Sequence, residues 1–383
     1  MEKVRLGDIA TLINGDRGKN YPSQADITDE GDIPFVNAGH LNGRNIDFEE
    51  MNYISQDKYK RLSSGKFVKG DVLYCLRGSL GKKAIVNDDV EGAIASSLVI
   101  IRPNYDRIDG DYLMFSLDSP SIKEQLNKAN NGSSQPNLSA ASVREYQIEL
   151  PDLKKQKDIV KKLVKTRSII DSRQHEIDLL DELIKARFVE LSNIWNASEL
   201  PLSDFLDDIT YGFTKPMPDS DVGPWKITAK DVVNGHINFE TARKTTQEAY
   251  DLLTAKSKPI IGDVLLTKDG TLGRTAIVED EKICVNQSVA VLRCNNKVLP
   301  RFLTLLLQLP EYQVEMTKNS GGGTIKHIYI TKVDKMLVKI PDINSQKELI
   351  SFVEQVDKSK VVIQKSLDET QLLFDSLMQK YFG

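Results

Sequence analysis

Read by the spacing of its apolar residues, the chain alternates between two textures. Short runs rich in β-branched and aromatic residues, DVLYCL (71–76), KAIVN (83–87), SSLVIIRP (96–103) and REYQIEL (144–150), are punctuated by Gly, Asn and Pro, as strands joined by turns are. A second set follows the same plan: DVLLT (263–267), RTAIVED (274–280), SVAVLRC (288–294) and KMLVKIP (335–341). Helical spacing over about 111–129 and about 300–317 predicts one helix within each set. After Pro151-Asp152, and again after Pro341-Asp342, the period changes. Steps of four and three from Ile159 reach Leu163, Thr166, Ile170, Arg173, Ile177, Leu180, Ile184, Arg187 and Leu191. The same steps from Leu349 reach Val353, Val356, Lys360, Ile363, Leu367, Thr370, Phe374, Leu377 and Tyr381. Apolar heptads sustained this long predict helices packed through a narrow seam, started where a Pro is tolerated and an Asp can cap. Polar residues interrupt both seams, so each helix needs a partner, and the obvious partner is the other.

The two sets are a duplication. GDVLYCLRGSLGKKAIVND (70–88) and GDVLLTKDGTLGRTAIVED (262–280) agree at 11 of 19 positions. PDLKKQKDIV (151–160) answers PDINSQKELI (341–350), LGDI (6–9) answers LSDF (202–205), and NGRNIDF (42–48) answers NGHINF (234–239). Markers in one order at nearly constant offset mean a repeated unit of about 190 residues. A pseudo-twofold axis between equivalent globules would set their helices antiparallel, and about 40 residues of helix give a strut of roughly 60 Å. The expected fold is α+β: two duplicated α/β domains, 1–150 and 197–340, separated by helical segments at 151–196 and 341–383 that pair as an antiparallel coiled coil. Inside the repeated block the frame is common. The differences gather at Tyr74, Cys75, Leu76 and Arg77 against Leu266, Thr267, Lys268 and Asp269, positions expected to project side chains.

Composition narrows the class. A chain of 383 residues exceeds one usual core, and 40% hydrophobic with 28% charged residues is ordinary for a soluble globular protein. No apolar run reaches membrane-spanning length and MEKVRLGDIA lacks a signal-peptide core, which points to the cytoplasm. Cys75, Cys284 and Cys294 show no C-x-x-C spacing and the four histidines no ligand spacing, so neither a disulfide framework nor a zinc site is expected. The net charge of −4 conceals a local excess. Between 58 and 83, Lys58, Lys60, Arg61, Lys66, Lys69, Arg77, Lys82 and Lys83 face only Asp71. Binding to a polyanion depends on such a local field and not on the total.

Catalytic motifs are missing. GSLGKK (78–83) invites a phosphate-loop reading, but Leu76 stands where that motif needs its first Gly, and a strand follows. The second copy has Lys268 at that place. There is no Asn-Pro dipeptide of an amino-methylating enzyme, no G-x-G-x-x-G after a strand and no G-x-S-x-G elbow. Pro151-Asp152 and Pro341-Asp342 lead into helices instead of a magnesium cluster, Asp280-Glu281-Lys282 reads as a turn, and Gly321-Gly322-Gly323 reads as a loop. The pattern is that of a binder.

The constellation resembles the specificity subunit of type I restriction–modification systems. The resemblance rests on the duplicated GDVL…G-x-x-G…AIV block, on Asn286-Gln287 before SVAVLR, and on a strand, a Pro-Asp corner, Gln156-Lys157 or Gln346-Lys347 and a long helix closing each copy. The first copy has Ser96-Ser97 where the second has Gln287-Ser288. The resemblance implies two target-recognition domains, each reading one half of a bipartite site in double-stranded DNA, with the helices setting the gap. It implies two methyltransferase subunits as partners, joined by motor-nuclease subunits, and no enzymatic role for this chain. S-adenosylmethionine, Mg and ATP are then expected only in those partners. Reading a base needs donor and acceptor forks on positioned loops, whereas phosphate contacts only set register. The expected DNA contacts are Arg77, Ser79, Lys82 and Lys83 in the first domain, with Lys268, Thr271 and Arg274 in the second. Supporting loops carry Arg17, Lys19, Asn20 and Tyr21, then Asn37, His40 and Arg44, against Tyr211, Thr214, Lys215 and Lys230. Gly78, Gly81, Gly270 and Gly273 are expected to be frame. A methyltransferase or nuclease with divergent motifs, or a coiled-coil scaffold without a DNA role, stays open from the residues alone.

Overall fold

The computed structural model describes residues 2–129, 136–233, 235–279, 282–318 and 327–383. Asn234 of the second Asn-Gly pair, Asp280-Glu281 and Gly321-Gly322-Gly323 lie outside the described residues. The chain forms two compact units, Met1–Gln174 with Gln364–Gly383, and His175–Ile363. The division falls inside both long helices, Leu153–Ile194 and Ile343–Phe382.

The first unit is built on an antiparallel sheet in the order Ala10–Asn14, Leu98–Pro103, Val72–Cys75, Lys83–Ile85. The second repeats the order with Leu206–Tyr211, Val289–Cys294, Val264–Thr267, Thr275–Ile277. Each sheet is covered on both faces. Val72, Tyr74 and Leu76 enter a core with the helical residues Tyr112 and Phe115, while Leu73 and Cys75 enter a second core with Val36 and Phe67. Val264 and Leu266 part from Leu265 in the same way. This corrects one expectation: Tyr74, Cys75, Leu76 and Leu266 are buried in these cores, and Thr267, also buried, turns its hydroxyl to accept from Arg274 N at 2.9 Å. A strand buried on both faces reads as a continuous apolar run and not as an alternation.

The helix expected over 111–129 is two, Gly110–Asp118 and Pro120–Ala129, and that over 300–317 is Pro300–Leu307 and Pro310–Thr317. A proline disfavours helical geometry in the residue before it, and Pro120 and Pro310 occupy equivalent places. The GDVL aspartates have a shared role too. Asp71 takes both Nε and an Nη of Arg102 at 2.8 and 2.7 Å and the Val68 N–H at 2.9 Å. Asp263 takes Arg293 at 2.9 and 2.7 Å and the Ile260 N–H at 2.9 Å.

The long helices pair antiparallel within each unit. In the first, Lys162 meets the Tyr381 ring at 5.9 Å and the Arg167 guanidinium lies 4.4 Å from the Phe374 ring centre. In the second, Asp181 pairs with Lys360 and Arg187 with Glu348 at 3.2 Å. Buried Gln156 ties its helix to the first unit: its Oε1 accepts from Asp109 N at 2.8 Å and its Nε2 donates to Arg107 O at 2.9 Å and Pro151 O at 2.8 Å. Buried Gln346 does the same in the second with Leu299 N, Lys297 O and Pro341 O, each at 2.8 Å.

Candidate nucleic-acid interface

The turn between the third and fourth strands of each sheet is one structure made twice. Cys75 N donates to Lys82 O at 2.8 Å and Gly81 N to Cys75 O at 3.2 Å; Thr267 N donates to Arg274 O at 2.8 Å and Gly273 N to Thr267 O at 2.9 Å. Gly81 and Gly273 sit at φ +78° and +79°, where a side chain is strained. A Cβ would also stand 2.8 Å from Leu126 Cδ1 in the first and 2.3 Å from Gln313 Oε1 in the second.

Other loops converge on this turn. In the first unit Leu76 N donates to Ser97 O and Leu138 N to Leu76 O, both at 2.8 Å. Arg17 reaches Ser96 O at 3.3 Å, the Tyr21 hydroxyl accepts from Ser96 N at 3.3 Å, and Lys82 Nζ donates to Ala38 O at 3.0 Å. Segments around residues 17–21, 37–40, 77–82, 95–97 and 136–138 thereby form one surface. In the second, Lys268 N donates to Ser288 O at 2.9 Å and Ile328 N to Lys268 O at 2.8 Å. Gln287 N donates to Phe213 O at 2.8 Å, Ala229 N to Ser288 Oγ at 3.1 Å, and Thr271 Oγ1 to Ala229 O at 3.4 Å.

Most expected residues stand on these loops. Arg17, Lys19, Arg77 and Ser79 are exposed in the first unit, and Tyr211, Thr214, Lys215, Lys230, Thr271 and Arg274 in the second. Asn20, Tyr21, Asn37, Lys82 and Lys268 are half-buried. Asn20 Nδ2 holds Arg61 O at 2.9 Å, Tyr21 packs edge-on against Phe35 at 5.9 Å, and Asn37 Oδ1 caps Gly39 N at 2.7 Å. Three expected residues are engaged inside the unit instead. Lys83 is buried and paired with Asp118. Arg44 pairs with Asp111 and lies 4.6 Å above the Phe115 ring. His40 is buried with Nδ1 accepting from Asn37 N at 3.1 Å, and burial depresses its pKa, which favours the neutral ring that bond requires.

Sequence reading missed Asn137 and His327, whose backbones bridge those of Arg77 and Asp269 in the respective units. Their separation of 190 matches that of the Pro-Asp markers, the one signal available. Asp269 itself is half-buried between the Lys268 ammonium and the His327 imidazole. Burial pushes its pKa up, but the bonds from His327 and Lys268 outweigh this and hold it below the usual carboxylate range. Among the described residues no cluster of three His, Cys, Asp or Glu could hold a metal ion, and no helix is long and apolar enough to cross a membrane.

The sequence matches the family described as type I restriction modification DNA specificity domain over residues 1–182 and 217–370. The chain belongs to that family. It is 24% identical over 303 residues to the type I restriction enzyme EcoBI specificity subunit of Escherichia coli, a match spanning 69% of this chain and 63% of that relative's length. The same fold is found in a solved structure of a type I R-M system studied for its complex assembly and conformational transition. That likeness has a TM-score of 0.64 at 19% identity and covers 100% of this chain and 97% of the other. A type I restriction–modification S subunit from M. genitalium aligns at a TM-score of 0.54 and 14% identity, over 100% and 96% of the two chains.

Proposed function

We propose that the chain is the DNA-recognition subunit of a type I restriction–modification complex, each unit reading one half of a bipartite site in double-stranded DNA. The observation that carries this is one loop surface built twice on a common frame while its side chains differ, Arg77 against Asp269 and Asn137 against His327, in a member of the DNA specificity family. Residues 1–150 and 197–340 serve as target-recognition domains. The helical segments 151–196 and 341–383 set the gap of the site and dock two methyltransferase subunits, with motor-nuclease subunits joining that assembly. Catalysis, S-adenosylmethionine, Mg and ATP belong to those partners, and the complex works in the cytoplasm. Arg77, Lys82, Arg274 and Lys215 supply charge-assisted donors to guanine or phosphate, with Arg17, Lys19 and Lys230 at the margins. Ser79, Thr271, Thr214, Tyr211, Asn20 and Asn37 supply neutral contacts or hold the loops.

Sequencing of modified bases in the host genome tests the reading: a motif of two fixed halves and a gap is expected. Exchanging residues 1–150 for another such domain should alter one half only. A continuous motif, or methylation or cleavage by the purified chain alone, would overturn it. Lysines 82 and 83 give a finer check. Burial depresses the Lys83 pKa more than Asp118 restores it, so their pair does not repay its desolvation. Because the Asp118 side chain is 48% exposed and stays hydrated without its partner, Lys83→Met should leave stability within about 1 kcal/mol and the salt dependence of DNA affinity unchanged. Lys82→Met should lower the slope of log affinity against log salt by about one.

A further inference from the structure

At the centre of its loop surface the second unit carries a chain of side-chain contacts built from residues that differ from their counterparts in the first. The Lys268 ammonium lies 5.5 Å from the Tyr211 ring centre and 2.9 Å from Asp269 Oδ2. The other carboxylate oxygen, Oδ1, is bonded to His327 Nδ1. The Asp269 and His327 backbones bridge one another, so the pair is held on the frame that joins Arg77 to Asn137 in the first unit. The His327 side chain is 42% exposed, against 22% for Asp269 and 17% for Lys268. Both Asp269 oxygens are therefore engaged, and the outermost group of the three is the imidazole.

A carboxylate only accepts, so a neutral His327 bonded to it carries its proton on Nδ1 and presents Nε2 as an acceptor. In the major groove the donors that match such an acceptor are the exocyclic amines of adenine and cytosine. We propose that His327 is a specificity-determining residue of the second unit, accepting through Nε2 from a base amine in the major groove, and that Asp269 is the positioning residue that fixes its tautomer. The proposal rests on the DNA-reading function above.

The test uses the full complex with its methyltransferase subunits and two readouts. In the first, genomes modified by variants are sequenced. His327→Ala and His327→Leu, which remove the acceptor, should both loosen one base pair of one half-site. Asp269→Ala should loosen the same base pair, the double variant should add nothing further, and Asp269→Asn, which still accepts from Nδ1–H, should restore the preference. In the second readout, affinity is measured for duplexes in which that base is replaced by its analogue lacking the amine, purine for adenine or a pyrimidinone for cytosine. The parent should lose about 5–150-fold, the cost of leaving the Nε2 acceptor without its partner, and His327→Ala should lose nothing more. Whichever analogue produces the loss identifies the base. Unchanged motifs with both His327 variants, a loosened position in the other half-site, indifference of the parent to both analogues, or complete loss of methylation by variants of unchanged melting temperature would overturn the proposal. Absence of any bipartite motif in the parent would instead overturn the DNA-reading function.

Discussion

Replacing Phe374 by Ala is expected to cost the first unit about 3–5 kcal/mol, although the residue lies in the last helix of the sequence. Phe374 is buried beside Phe115, ring centres 6.3 Å apart, under the Arg167 guanidinium. It belongs to a core that also holds Leu163, Ile170, Met378 and Phe382, with Val72 and Tyr74 of the sheet. Truncation leaves a cavity lined by rigid strands and helices, and such sites collapse poorly. Hydrogen exchange under increasing denaturant would localise the loss. Protection should fall in strands Val72–Cys75 and Leu98–Pro103 and persist in Val264–Thr267 and Val289–Cys294. Equal loss in both sheets would show that the C-terminal helix is not a private part of the first unit's core.

What the sequence displayed of this fold was its repetition. The heptad series came through because a seam needs apolar residues at fixed steps, and the observed burial of Ile159, Leu163, Thr166 and Ile170, like that of Leu349, Val353 and Val356, follows those steps. The sheet's double burial was harder to see. DVLYCL announces a strand, but only the existence of a second core beneath Leu73 and Cys75 decides that its variable residues point inward. The split of each helix is written in the sequence: Pro120 and Pro310 stand at matching places in the two copies.

The candidate site was legible where it lies in the chain close to the repeated glycines and illegible where it depends on distant pairing. Arg77, Ser79, Thr271 and Arg274 follow from the G-x-x-G turn alone. Lys83 is adjacent to Lys82 yet faces the opposite side of its strand, and the period of two turns it onto Asp118. Arg44 looked like a loop cation, but its guanidinium is claimed by Asp111 and Phe115 from a helix far along the sequence. His327 was invisible for the same reason in reverse, since only strand pairing brings it to Asp269.

The paired glutamines allow a prediction that uses the duplication as its own control. Gln156→Leu keeps nearly the same volume but removes the acceptor for Asp109 N and the donor to Arg107 O and Pro151 O. A buried backbone group left without a partner costs about 1–3 kcal/mol, so the first unit, with three such groups, should lose roughly 3–9 kcal/mol. Gln346→Leu strands Leu299 N, Lys297 O and Pro341 O and should cost the second unit a similar amount. Because the two glutamines share no partner, the double variant should show the sum of the two losses, each read from exchange protection in its own sheet. An anchor of this kind also separates two ways for the long helices to be attached. Packing alone tolerates Leu, which buries more apolar surface than Gln. Hydrogen-bonded attachment does not, because the helix start, the loop before Gly110 or Pro300, and the Pro-Asp corner all meet on one side-chain amide. Loss of protection confined to the mutated unit would establish attachment by that amide, whereas protection matching the parent would leave the helices held by their apolar seam.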